Sequence, residues 1–132
     1  MKSELVYRID RYARREDPRG CFEGLIHCGS WQEINLITSY AGVTRGGHYH
    51  KKADELFFII EGEIAVQARE VIDGTPAASP EDFRFAQGDV FIVRRNVYHT
   101  FHILKPSRWI NALSVAFDEN QPDIFTPGAD LE

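Results

Sequence analysis

The sequence predicts an all-β fold, a closed barrel or sandwich of short antiparallel strands. Short runs of β-branched and aromatic residues recur along the chain, divided by turn residues at regular spacing. No apolar helical period persists over a useful window. The 10 glycines and 6 prolines are scattered, singly except for Gly46-Gly47, as in a chain of strands and turns.

Taken in order, residues 5–9 (LVYRI) open a strand. Asp17-Pro18-Arg19-Gly20 is a turn signal, and residues 33–40 are rich in strand-forming types. Residues 56–60 (LFFII) are apolar on both parities, which predicts burial on both faces. Glu61-Gly62-Glu63 is expected to break that strand, and residues 64–69 resume with partial alternation. Residues 73–82 read as a polar loop and 86–89 as a turn. Residues 90–93 form a buried strand, and strands are expected at 98–104 and 109–117. Around eight or more strands are expected along the chain. Residues 118–132 are polar, hold two prolines, and are expected to form a surface tail.

The 132 residues suit one domain, 1–132. A composition 43% hydrophobic and 27% charged is ordinary for a soluble globular chain. The net charge of -5 argues against nucleic acid or an anionic membrane as partner. A local basic pocket for a phosphorylated ligand remains open to Arg45, Arg94, Arg95 and Arg108. No apolar run approaches the ~20 residues of a membrane span, and residues 1–10 lack a signal-peptide core, so a cytoplasmic location is expected. Cys21 and Cys28 make no disulfide framework and are expected to be reduced thiols without a catalytic role.

Three of the five histidines and one glutamate form a chemical pattern. In a strand, residues i and i+2 share a face, so His48 and His50 can address one cavity with Tyr49 on the other side. Glu55 heads a buried apolar strand, where an unpaired carboxylate would be costly. His99 lies on a later strand between Val97 and Phe101 on the same parity. Three neutral imidazoles and a carboxylate suit one divalent ion, Fe, Mn, Ni or Zn. His27 and His102 are expected to be hydrogen-bonded core residues, His102 aimed away from the His99 side. Arg45 adjoins the histidines and could clamp a phosphate or carboxylate with its planar fork. Tyr40, Tyr49, Tyr98, Trp31 and Phe57 are expected to fill the core more than to line the cavity.

The spacing Gly42-x5-His48-x-His50-x4-Glu55-x6-Gly62 resembles the first cupin motif at every position. The second motif, 88–103, is met in part: Gly88 and His99 stand in place, Arg94 replaces the usual Pro, Asn96 the usual Gly, and Ile103 a frequent Asn. Asn tolerates the left-handed turn conformation, so the Gly-to-Asn change is mild. The resemblance implies a cupin double-stranded β-helix (jelly-roll) barrel, often a homodimer, with a metal inside its mouth. Arg45-Gly46-Gly47-His48-Tyr49-His50-Lys51 is similar to the RGxHxHK stretch of cupin 3,4-ketoisomerases acting on nucleotide-linked deoxysugars. Asp17-Pro18-Arg19-Gly20-Cys21-Phe22 and Phe117-Asp118-Glu119-Asn120-Gln121-Pro122-Asp123 resemble segments of capsule-sugar epimerase cupins. Such ketoisomerases use paired histidines as acid and base without metal, whereas Glu55 and His99 here fit a ligand set.

The expected function is isomerisation or epimerisation of a sugar or similar carbonyl compound, with proton abstraction beside a metal-polarised carbonyl. Tyr49 or a histidine would move the proton, and Arg45 would hold a phosphate. The ligand would be a small molecule, a phosphorylated or nucleotide-linked sugar. Two alternatives stand beside this reading: a metal-dependent (Fe) oxygenase, and a non-catalytic small-molecule-sensing cupin.

Overall fold

The described residues form ten strands: β1 (Val6–Ile9), β2 (Ala13–Asp17), β3 (Gly20–Gly24), β4 (Glu33–Ser39), β5 (Thr44–His48), β6 (Glu55–Ile72), β7 (Thr75–Pro76), β8 (Glu81–Ala86), β9 (Val90–Val93) and β10 (Val97–Leu113). The computed structural model describes residues 5–127, and no α-helix occurs among them. Residues 128–132 of the expected tail and 1–4 of the expected domain lie outside the described residues.

β6 and β10 form the spine, antiparallel from Val97 opposite Glu70 to Leu113 opposite Glu55. β4 and β5 pair with opposite halves of β10; β9 and β8 do the same along β6. β1 closes the far side against β9, giving the sheet order β1-β9-β6-β10-β4. Both halves of each long strand feed one core. Phe57 and Ile59 of the first half of β6 meet Ile64 and Val66 of the second, with Phe91, Phe101 and Trp109 beside them.

That shared core requires the spine to bend, and the bend corrects two expectations. Glu61-Gly62-Glu63 does not end the strand. Gly62 turns it with φ of 110°, and a Cβ there would lie 2.0 Å from Ser107 Oγ. Across from it, residues 98–104 and 109–117 are not two strands. β10 runs through Lys105-Pro106-Ser107-Arg108 with shifts of register, and it stops at Leu113. A bulge tolerates Pro because it needs no ladder donor there. Gly62→Ala is therefore expected to cost about 3 kcal/mol from backbone strain and clash, measured by denaturant unfolding.

The two-faced burial expected for 56–60 is present. Phe57 and Ile59 enter the main core, while Leu56 faces a second cluster with Val90, Ile92 and Ala112. Trp31 packs partly against that second cluster, and Tyr40 is exposed. The 17–20 turn joins β2 and β3 into a separate hairpin. The polar 73–82 loop is shorter than expected: β7 folds back on Val71 and Ile72, and β8 begins at Glu81. Cys21 and Cys28 are exposed free thiols.

Asn96 adopts φ of 59°, as its place in the turn before β10 suggested. This turn is tied down by Asp54, whose Oδ1 accepts from Arg95 N at 2.9 Å while Oδ2 accepts from its guanidinium at 3.1 Å. Burial alone would raise the Asp54 carboxyl, but the Arg95 bonds weigh more and hold it below its ordinary value. A lowered folded-state value means stability that is full above the ordinary carboxylate range and lost as pH falls through the lowered one. Asp54→Asn should thus lose about 0.5–1 kcal/mol at neutral pH after solvent screening, the gap closing progressively below about pH 4 in unfolding titrations.

Candidate functional site

β5 ends on His48, and the chain continues through Tyr49 to His50. Period-2 alternation turns both imidazoles inward and sends Tyr49 outward. β10 presents His99 directly opposite His48, and Glu55 is the first residue of β6. The register shift beside His99 is made possible by Gly46, where φ is 83° and a Cβ would meet the His99 carbonyl oxygen at 2.8 Å. Four residues far apart in sequence therefore converge: one ligating atom from each lies within 4.8 Å of the others.

The convergence is deep in the barrel. His99 is 1%, Glu55 7% and His50 8% exposed. Glu55 Oε1 stands 2.8 Å from His50 Nε2 and 3.1 Å from His99 Nε2. The atoms approach without the alignment of hydrogen bonds, so all three are buried polar atoms with no hydrogen-bond partner. Buried polar atoms are normally satisfied, and an orphaned trio needs an explanation. Donors held about 2.0–2.2 Å from a common ion at tetrahedral or octahedral angles would stand about 3.0–3.4 Å apart, close to these separations. Donor types and spacing both fit a divalent transition ion.

The remaining atoms of these side chains are engaged, which fixes their aim. His99 Nδ1 donates to the Val97 carbonyl at 2.9 Å. His50 Nδ1 donates to the Asp123 carbonyl. A carbonyl can only accept, so each ring carries its proton on Nδ1 and leaves the Nε2 lone pair facing the centre. Glu55 Oε2 accepts from Asn111 Nδ2 at 2.9 Å, leaving Oε1 for the centre. Asn111 is in turn held by Asn35, whose Nδ2 lies 3.2 Å from its Oδ1.

Electrostatics favour the neutral His48 ring and the ionised Glu55, the forms that can ligate, and pull His50 the other way. Burial and the neighbouring His99 and His50 lower the His48 imidazole to about 4. Burial would raise the Glu55 carboxyl, but His50 and His99 outweigh it and hold it well below the usual carboxylate range. Burial likewise works against charge on His50, yet its contact with Glu55 wins and raises it.

Two cavities meet at this centre, both touching His48, Glu55 and Asn111. The larger, about 420 Å³, opens between Glu33, Lys52, Phe117 and Asp118. The smaller, about 230 Å³, is walled by Ile37, Phe57, Phe101 and Trp109, with Arg45 at its edge.

Several sequence expectations need correction. Tyr49 touches neither cavity: its ring is buried against Phe125, with centroids 5.5 Å apart, so it is not placed to move a substrate proton. His27 and His102 are not core residues. His27 stacks on Tyr12 at 4.0 Å near the surface; His102 faces solvent, as its parity implied, and meets Thr44 Oγ1 at 3.3 Å. The tail does not only face solvent, because its residues 118, 121, 123 and 124 line the larger cavity. Sequence reasoning also missed Asn111 and Asp123. A polar residue inside the apolar run Trp109-Ile110-Asn111-Ala112-Leu113 was the available signal for the first. Nothing local marked the second.

The barrel is a jelly roll of the cupin type. The chain belongs to the polysaccharide biosynthesis C-terminal domain family, whose model matches residues 15–125. It is 36% identical over 58 residues to a UDP-2-acetamido-2,6-beta-L-arabino-hexul-4-ose reductase of Pseudomonas aeruginosa, covering 44% of this chain and 16% of the reductase. The chain thus spans under a fifth of that relative. The spore coat polysaccharide biosynthesis protein SpsL of Bacillus subtilis is 24% identical, with 88% of this chain and 83% of SpsL covered. Among solved structures, NovW, a 4-keto-6-deoxy sugar epimerase of Streptomyces spheroides, superposes with a TM-score of 0.72 at 20% identity, over 89% of this chain and 67% of NovW. The sugar 3,4-ketoisomerase QdtA of Thermoanaerobacterium thermosaccharolyticum, solved in complex with TDP, gives 0.69 at 15% identity, over 93% and 88%. At these identities the structures establish the shared fold.

Proposed function

We propose that the protein isomerises or epimerises a nucleotide-linked keto sugar in polysaccharide biosynthesis, with one divalent transition-metal ion held by His48, His50, Glu55 and His99. The observation that carries this reading is the buried trio His50 Nε2, His99 Nε2 and Glu55 Oε1, aimed at one point without hydrogen-bond partners. The family membership and the sugar-acting relatives support the substrate class. When bound, the ion would act as a Lewis acid toward a substrate carbonyl.

The chain's own groups supply the rest. Arg45 borders the smaller cavity and is suited to a phosphate by its bidentate fork. With Tyr49 turned away, proton transfer falls to groups that face the larger cavity, and Lys52 and Asp118 are the candidates. The aromatic and aliphatic wall of the smaller cavity excludes water and strengthens charge interactions at the centre. Arg45→Ala is expected to raise KM about tenfold with a smaller effect on kcat, measured by steady-state kinetics on a diphosphate-linked substrate.

A homodimer belongs to the same reading. Ile34, Leu36 and Tyr40 present exposed apolar side chains on and just beyond the edge strand β4. Such surface on a sheet edge favours a partner. The enzymatic claim is tested by incubating metal-loaded protein with a panel of 4-keto-6-deoxy sugar nucleotides in deuterated water. Deuterium is expected at the carbon beside the carbonyl. No incorporation across the panel overturns the proposed chemistry.

A further inference from the structure

We propose that Asp123 is a positioning residue for His50, and that the segment carrying it is a working part of the site. The inference rests on the metal reading above for its consequence, but its geometry stands apart. Residues 114–127 follow the last barrel strand, and a polar tail of this kind has no obvious reason to return to the site. It returns through a specific anchor. The Asp123 carboxylate accepts three successive backbone N–H groups, from Lys51 at 2.8 Å and from Lys52 and Ala53 at 3.0 Å each. These amides belong to the turn between His50 and Glu55, so one side chain fixes the spacing of two of the four donors. The peptide carbonyl of the same residue accepts the His50 Nδ1–H.

A second attachment lies two residues on. Phe125 and Tyr49 exchange both backbone hydrogen bonds, each at 3.0 Å, and their rings stack. Lys51 Nζ sits 4.0 Å from the Phe125 ring centroid. The segment 123–125 is thereby clamped along 49–53, with His50 inside the clamp. This assigns Tyr49 a role in place of the catalytic one expected for it: its outward face is where the segment docks.

The physical consequence is selective. A ligating imidazole is held in one tautomer by the partner of its other nitrogen, and loss of such a partner costs about 10–100-fold in metal affinity. His99 takes its partner from Val97 on its own strand and does not depend on the segment. His50 does. Releasing the clamp should therefore disturb one histidine of the set and spare the other, which general loosening of the barrel would not do.

The test uses the full chain and the variants Asp123→Ala and Phe125→Ala, the second loosening the clamp from its far end should the first fail to fold. Nitrogen-15 NMR of the metal-free proteins at mildly alkaline pH reads the imidazole tautomers, and titration with cobalt(II) reads affinity. The expected result is a single Nδ1–H tautomer for His50 and His99 in the parent protein. In the variants His50 alone becomes a tautomer mixture, and cobalt affinity falls about tenfold or more. An unchanged His50 tautomer with affinity within about twofold of the parent overturns the proposal. The two readings fail separately. A parent protein that takes no cobalt but shows the tautomer shift keeps the positioning role and removes the metal, while cobalt binding with unmoved tautomers does the reverse.

Discussion

Glu55→Gln is expected to weaken divalent metal binding by about 100-fold or more while leaving the barrel folded. The carboxylate is the single anionic donor among the four, and its Oε1 is the atom both flanking imidazoles approach, at 2.8 and 3.1 Å. Glutamine preserves the shape and an oxygen for Asn111 to donate to. It removes the charge that offsets a dication in a buried site. Without the ion, this change should still lower stability, because His50 and His99 favour the Glu55 charge in the folded site and glutamine cannot replace it. Calorimetric titration with zinc or cobalt, alongside thermal unfolding of the metal-free forms, checks both halves. Parent-like affinity in the glutamine variant would mean that Glu55 is not a ligand.

The second large effect is expected from His99→Ala, set against His102→Ala. The two residues are three apart on β10, and odd spacing puts them on opposite faces. His99 is almost wholly buried, turns Nε2 toward the proposed ion and packs beside Phe101 with ring centroids 5.2 Å apart. Its truncation removes a donor, opens a cavity and leaves the Val97 carbonyl without its partner. Stability should fall by about 2 kcal/mol or more, and metal should no longer copurify. His102→Ala, on an exposed side chain, should change stability by no more than about 0.5 kcal/mol and leave metal content unchanged. Equal effects in the two variants would contradict the placement of the centre.

The convergence of His48, His50, Glu55 and His99 was legible because it obeys local rules. His48 and His50 are two apart with one parity, Glu55 places a charge at the head of an apolar run, and His99 shares its parity with apolar neighbours. The same alternation already placed Tyr49 on the opposite face, so assigning it a proton-transfer role set chemical suitability above geometry, and the structure sides with geometry. The turns at Asp17 to Gly20 and at Asn96 were readable from residues that favour those conformations. The continuity of β6 and β10 was not. Glu61-Gly62-Glu63 read as a break and residues 105–108 fell between two expected strands, yet Gly62 and Pro106 each sit at a bend where missing side-chain bulk or a missing donor is what the fold requires. Asn111 reaches Glu55 across 56 residues of sequence, and Asp123 reaches Lys51 across 72. Asp123 also serves His50 through a peptide carbonyl, a group every residue carries, so no side-chain pattern could announce it.

The most direct test of the central claim is X-ray absorption at the metal edge of the purified protein loaded with zinc or cobalt, with metal content measured on the same sample. One ion per chain, ligated by three imidazole nitrogens and a carboxylate oxygen, is the predicted result. A protein that takes up no ion at equimolar metal, or an ion whose spectrum lacks imidazole scattering, would contradict it.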